Sequence, residues 1–172
     1  MIINVPIGPP AAVYIGTYGA SAVLTRITDL RTSGTTVTET FPQTFVQSLN
    51  SGAGDNIQSG NHSIELTLEF YSDSLMTARL TRGLPIDWPY INSPPGVGQY
   101  AVLLVAPDPE SISNFYFPLL RSTNVRPLGY KKTAATTTPV TLAVETRNPI
   151  TTLFYQDTLA NLVSVMGSIS PV

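Results

Sequence analysis

Hydrophobic and polar residues alternate over residues 63–70, SIELTLEF, with Ile64, Leu66, Leu68 and Phe70 on one face and Glu65, Thr67 and Glu69 on the other. A period of two predicts a half-buried β-strand. The same alternation returns in PVTLAVETR through Val140, Leu142 and Val144, and an aromatic version of it in NFYFPLLRSTNV. QYAVLLVAP is apolar on both faces, which predicts a strand buried on both sides or covered by a partner. Further strand signals lie in AAVYIGTYGASAVLTRITDL, where Gly16 and Gly19 suggest bends or bulges, and in TTVTETFPQTFVQSL, where Pro42 suggests an edge or a break. TTLFYQDTL extends the series, and the closing ANLVSVMGSISPV reads as a strand or a swapped arm.

One segment changes period. Ser72, Asp73 and Ser74 are helix-capping residues, and Met76 and Leu80 fall four apart in SLMTARLTR. Gly83 is placed to end that helix and Pro85 to forbid its continuation, so the pattern predicts one short helix over about 74–82 and no other. Two irregular stretches flank this region. Residues 50–61, NSGAGDNIQSGN, read as a turn or flexible tip, and residues 84–98, with four prolines, as a loop. The order of strands, one helix, a Pro-rich loop and more strands predicts a single mainly β domain, a β-sandwich or partly closed β-barrel with a flanking helix.

Composition sharpens this picture. Only 12% of the 172 residues are charged and 42% are hydrophobic; the charged share is about half the usual one. So few surface charges protect a monomer poorly against association, which implies that much of the surface is buried against copies of the same chain. The net charge of −2 argues against general nucleic-acid binding, which depends on neutralising phosphates. The N-terminal MIINVPIGPP has no signal-peptide pattern, and no apolar run is long enough to span a bilayer, so a soluble chain is expected.

Candidate chemistry is sparse. The single histidine, His62, lies beside Asp55 and Ser63, but sequence proximity does not make a catalytic triad, and a solvated loop histidine is the simpler reading. With no cysteine, a zinc site is disfavoured. SGAGDNIQSG lacks the Lys and Ser/Thr of a phosphate-binding loop and leads into a strand instead of a helix. Asp108 and Glu110 in APDPE read as a rigid turn and not as a calcium loop. No catalytic set, cofactor site or metal site is therefore expected. The basic residues do segregate: Arg121, Arg126, Lys131 and Lys132 fall in residues 111–144, which contain no acid. A nucleic-acid patch is one reading of them; a solvated loop, or a positive face meeting a negative face on a neighbouring copy, is the simpler one, and Glu65 and Glu69 are natural members of the negative face.

Several pieces, in this order, resemble the tail tube proteins of tailed bacteriophages: YIGTYGA, a β-rich stretch with a long tip, GNHSIELTLEFYSDSLMTARL, FYFPLLRST and TPVTLAVETRN. The resemblance covers most of the chain as a pattern of elements. It implies a β-sandwich or barrel with a lateral helix, assembling into stacked hexameric rings around a channel for viral DNA in the virion tail, alongside other tail proteins. It implies that residues 35–61 form an extended inter-subunit loop, with Phe41, Phe45, Asn50, Gly52, Gly54 and Asp55 as its candidate contacts. It further implies that Glu65, Glu69, Arg121, Arg126, Lys131 and Lys132 line the lumen or a charged interface. The chain has fewer acids than an acidic lumen would call for. Two other roles fit the same elements: a tail terminator, neck ring or decoration protein, and a glycan- or receptor-binding module using Trp88 and Tyr90.

Overall fold

The computed structural model describes residues 9–18, 23–47, 54–58, 61–71, 75–86, 98–108, 110–123, 138–146 and 152–166. In chain order its elements are β1 (Ala12–Thr17), β2 (Thr25–Arg26), a 3-10 turn (Thr32–Gly34), β3 (Thr36–Thr40), β4 (Gln43–Gln47), β5 (Gly54–Gln58), β6 (Ser63–Phe70), α1 (Leu75–Thr81), β7 (Gln99–Val105), β8 (Asn114–Ser122), β9 (Thr138–Val144), β10 (Tyr155–Asp157) and α2 (Leu159–Met166). Eight strands form one sheet in the order β2-β1-β7-β8-β9-β6-β3, with β10 added on β8, and every pairing is antiparallel. The mainly β expectation holds. β4 and β5 form a separate two-stranded sheet.

The large sheet curls into a partly closed barrel. β1 and β6 are four strand spacings apart along it, about 19 Å if the sheet were flat. Yet Val13 and Ile15 of β1 share one core with Ile64, Leu66, Leu68 and Phe70 of β6. The chain after β2 makes the closure: the Ile27 amide donates to Val13 O (2.9 Å), the Arg31 amide to Glu69 O (2.7 Å), and the Tyr71 amide to Asp29 O (3.1 Å). Residues 27–31 thus hydrogen-bond to β1 at one end and to β6 at the other. Tyr100, Val102 and Leu104 of β7, Phe115, Phe117 and Leu120 of β8, and Val140 and Leu142 of β9 complete the interior.

β8 serves two partners. Asn114, Phe115 and Tyr116 pair with β10, and Leu120, Arg121 and Ser122 pair with β9. Between them the β7–β8 register shifts by one residue, so Pro118 and Leu119 stand opposite Ala101 alone. Proline has no amide to give a ladder, and a bulge is where a strand tolerates it. The extra residue also changes which positions face inward, from Phe115 and Phe117 to Leu120. The fully buried Asn114 side chain ties this region together. Its Oδ1 accepts from the Ala106 amide (2.9 Å), and its Nδ2 donates to Ser111 O (2.6 Å) and Asp157 O (3.2 Å).

Helix α1 ends as its sequence predicts. Gly83 has φ of 63°, the left-handed conformation that favours glycine. The Leu84 amide reaches Arg79 O (2.9 Å) and the Gly83 amide reaches Leu80 O (3.2 Å), the two bonds of a Schellman cap. Leu80 faces the core and Met76 packs against it. The Tyr100 hydroxyl, buried in the same core, donates to Leu84 O (2.6 Å), and burial pushes its phenol well above the usual tyrosine range. Ser72, Asp73 and Ser74, the expected caps, lie outside the described residues, as does Gly19. Gly16 is not a bend. It pairs in register with Ala101, and a Cβ there would meet Val23 O at 2.7 Å, so glycine permits the close approach of the chain entering β2.

The larger correction is α2, in a segment expected to be a strand or an arm. Leu162 is buried with Ala101, Leu103 and Val105 of β7, and Leu159 and Met166 pack against the same cluster. β7 is therefore covered on its second face by this chain's own helix. The helix start is well capped: Thr158 Oγ1 accepts from the Asn161 amide (3.4 Å), while the Asp157 carboxylate takes the Asn161 Nδ2 donor (3.0 Å) and the Thr158 amide (2.7 Å). These bonds, Asn161's first, hold the Asp157 carboxyl below its usual range. A carboxyl depressed in the folded state stabilises it above the unfolded-state pKa, and that contribution is lost as pH falls through the folded value. Acid titration is expected to loosen α2 in the wild type below about pH 4. In Asp157→Asn that part of the pH dependence disappears, as amide exchange of Leu159–Met166 would show.

Candidate assembly surface

The outer face of the barrel is divided. Over β1, β7 and the start of β8 it is apolar and lies beneath α2, with Tyr116 and Tyr155 stacked beside it, their ring centroids 6.1 Å apart. Burial, and then Tyr155 beside it, raise the Tyr116 phenol. Over β3, β6 and β9 the outer face carries polar and small side chains. Register aligns Thr36, Thr67 and Thr141 in one cross-strand row, and Thr38, Glu65, Ala143 and Arg121 in the next. Threonine suits a pleated strand exposed on one side, which is why this half folds without apolar cover.

The two glutamates of β6 share a face but not a role. Glu65 is exposed, and among the described residues no hydrogen bond or ion pair engages it. Glu69 is half-buried and lies 3.6 Å from Arg31, whose Nε donates to Ser33 Oγ (3.1 Å). A side chain at Gly34 would collide with Glu69, so the 3-10 turn and this carboxylate are packed together. Replacing Glu69 with lysine would put two cations side by side at the barrel closure; only Glu65 is free to serve as a surface charge. Arg121 forms an ion pair with Glu145 (2.7 Å), an acid one residue beyond the acid-free segment. Arg126, Lys131 and Lys132 lie outside the described residues.

The segment expected to be one extended loop, residues 35–61, divides in two. Thr36–Thr40 is an edge strand of the main sheet, and among the described residues no strand pairs with its other edge. After Pro42 come β4 and β5, paired from Gln43↔Gln58 to Gln47↔Gly54. Phe45 thus lies on β4, and Gly54 and Asp55, expected in an irregular tip, lie on β5; Asn50 and Gly52 fall outside the described residues. β-Branched and aromatic residues in β4, Thr44, Phe45 and Val46, supply the strand propensity.

At the root of this hairpin stands a cluster that local sequence reading missed. Continuing the β3–β6 register from Thr40↔Ser63 sets Phe41 opposite His62. Their rings meet edge to face at 5.7 Å, and His62 Nε2 contacts Glu39 Oε1 at 2.5 Å. His62 is therefore partnered by the end of β3, not by Asp55 and Ser63. The available signal was Glu39, reachable only once the β3–β6 pairing is known.

Among the described residues, no group of three His, Cys, Asp or Glu side chains is disposed to hold a metal ion, and no helix is long and apolar enough to cross a membrane. Trp88 and Tyr90 lie outside the described residues. In comparison with known proteins, the chain matches no family model and no curated protein.

Proposed function

We propose that this chain is a structural, non-enzymatic subunit that assembles with copies of itself, specifically a tail tube subunit of a tailed phage. Its rings, hexameric by resemblance, would stack into the virion's channel for DNA, with other tail proteins at the ends. The observation that carries the proposal is the β4–β5 hairpin. A two-stranded sheet is marginally stable in water by itself, and among the described residues this one pairs with no strand of the main sheet. A neighbouring copy supplies the missing surface, and head-to-tail contacts of this kind close into rings or extend into filaments. The low charged fraction and the unpaired outer edge of β3 support the same reading.

The threonine-rich outer face suits a DNA channel by what it withholds. Of its two β6 carboxylates, the exposed Glu65 repels phosphates while Glu69 is paired with Arg31, and its arginine, Arg121, is neutralised by Glu145. Such a wall lets a polyanion pass without holding it. Negative-stain microscopy of the purified protein, with mass measurement across concentration, tests the proposal. Tubes are the expected result. A single closed ring or trimer would transfer the assignment to a terminator, neck or decoration protein, and a monomer at every concentration would overturn it.

A further inference from the structure

One edge of the main sheet is open, and the hydrogen-bond pattern says which backbone groups it presents. The Arg31 amide donates to Glu69 O and the Tyr71 amide to Asp29 O, so odd-numbered residues along β6 turn their N–H and C=O groups toward the β3 side and even-numbered ones toward β9. Thr36, Thr38 and Thr40, in register with Thr67, Glu65 and Ser63, therefore direct theirs at β6. The intervening residues, Val37 and Glu39, direct theirs outward, where no strand meets them among the described residues. This edge lacks the features that deter pairing: β3 runs five residues in unbroken register with no lysine, proline or bulge. The opposite edge strand, β2, has two residues, one of them Arg26. We propose that the outer edge of β3 is the acceptor for β4 of a second copy, which joins the sheet by main-chain pairing to Val37 and Glu39. This rests on the reading of the hairpin as the docking element.

The chain's own β4 cannot fill that position. Phe41 is still opposed to His62, their rings 5.7 Å apart, so Pro42 alone separates the β3–β6 pairing from β4. A strand that reverses onto its neighbour needs a connection of about two residues or more. A second copy meets no such limit, and charge selects β4 within it. Gln43–Gln47, QTFVQ, has no charged residue, whereas β5 contains Asp55 and β3 contains Glu39. Adding β5, or pairing β3 with β3 of the copy, would set a second carboxylate on the strand facing Glu39, and like charges brought opposite each other destabilise a ladder. β4 also matches β3 in length, at five residues. One of its edges lies on β5, and the other is unpaired among the described residues. Donor strand and acceptor edge thus lie on one chain and cannot meet within it, so the contact is head-to-tail and repeats from copy to copy.

Amide hydrogen exchange at residue resolution, compared between dilute monomer and assembled protein, tests the pairing. On assembly the Val37 and Glu39 amides should slow by at least about tenfold, together with alternate amides of Gln43–Gln47. Thr36, Thr38 and Thr40 should be protected already in the monomer, and the amides of β5 that do not face β4 should not change. Glu39→Pro removes an outward donor and no bond of the monomer's own ladder, a place where a strand tolerates proline. It should keep its thermal midpoint within a few degrees and need at least about tenfold more protein to assemble, while Glu39→Gln, which retains the amide, should assemble as the wild type does. Assembly without slowing at Val37 and Glu39, or with slowing on the outer edge of β5 in place of β4, overturns the inference and leaves the tube proposal standing. A single closed ring in which Val37, Glu39 and β4 slow together supports the pairing and moves the assignment away from a tube. A chain monomeric at every concentration overturns both. Should Glu39→Pro fail to fold, the wild-type exchange pattern still decides.

Discussion

A chain in which residues 43–60 are replaced by an Asn-Gly turn is expected to stay folded and to lose self-assembly. The last backbone pair between β3 and β6 is Thr40↔Ser63, and Phe41 and His62 are already opposed beyond it, so a four-residue connection from Pro42 to Asn61 can close the hairpin of β3 and β6. None of the described core residues is removed, and Ile64, Leu66, Leu68 and Phe70 all stay in place on β6. Shortening the connection lowers its closure entropy by about 1 kcal/mol, so the thermal midpoint should hold or rise slightly. Sedimentation at concentrations where the wild type assembles should show monomer. Assembly at wild-type concentrations would remove the hairpin from the interface, and a collapse of stability would make it part of the core. Deleting residues 50–61, the excision that the glycine-rich composition alone suggests, is a worse experiment. It removes β5, leaves β4 without its partner and cuts into the root beside His62.

That contrast marks how far the sequence could be read. The alternation of SIELTLEF was fully legible: its apolar residues are buried and its outward ones are not, because a strand at a barrel wall has one dry side. The helix stop at Gly83 was legible for a similarly local reason, since few residues accept a positive φ. The difference between Glu65 and Glu69 was not. They are equivalent by period, and only the 3-10 turn, brought over β6 by the barrel closure, buries one of them against Gly34 and Arg31. The division of β8 between β9 and β10 is likewise a matter of long-range pairing. Helix α2 was hidden by its β-branched Val163 and Val165 and by Ser164, all weaker helix formers. Its capping signal, Asp157-Thr158 with Asn161 three residues on, was present and outweighed by the apolar run.

The second large expected effect concerns that helix. Leu162→Ala should destabilise the folded chain by about 2–5 kcal/mol, the range for truncating a buried leucine, which lowers the thermal midpoint of a domain of this size by roughly 6–12 °C for a loss near 3 kcal/mol. Leu162 is 1% exposed and is the residue of α2 that closes over Ala101, Leu103 and Val105. Ser164→Ala, on the exposed side of the same helix, should change stability by less than about 0.5 kcal/mol and controls for helix propensity. The comparison separates the two covers that a doubly apolar β7 permits. If a second copy shields β7, truncating Leu162 leaves the isolated chain nearly as stable as before and weakens only assembly. If α2 shields it, stability falls in the monomer, and the uncovered apolar face of β7 then drives concentration-dependent association unrelated to the hairpin. A variant that combines Leu162→Ala with the hairpin replacement would show this directly, because association restored in a chain lacking β4 and β5 has to run through the face that α2 normally covers.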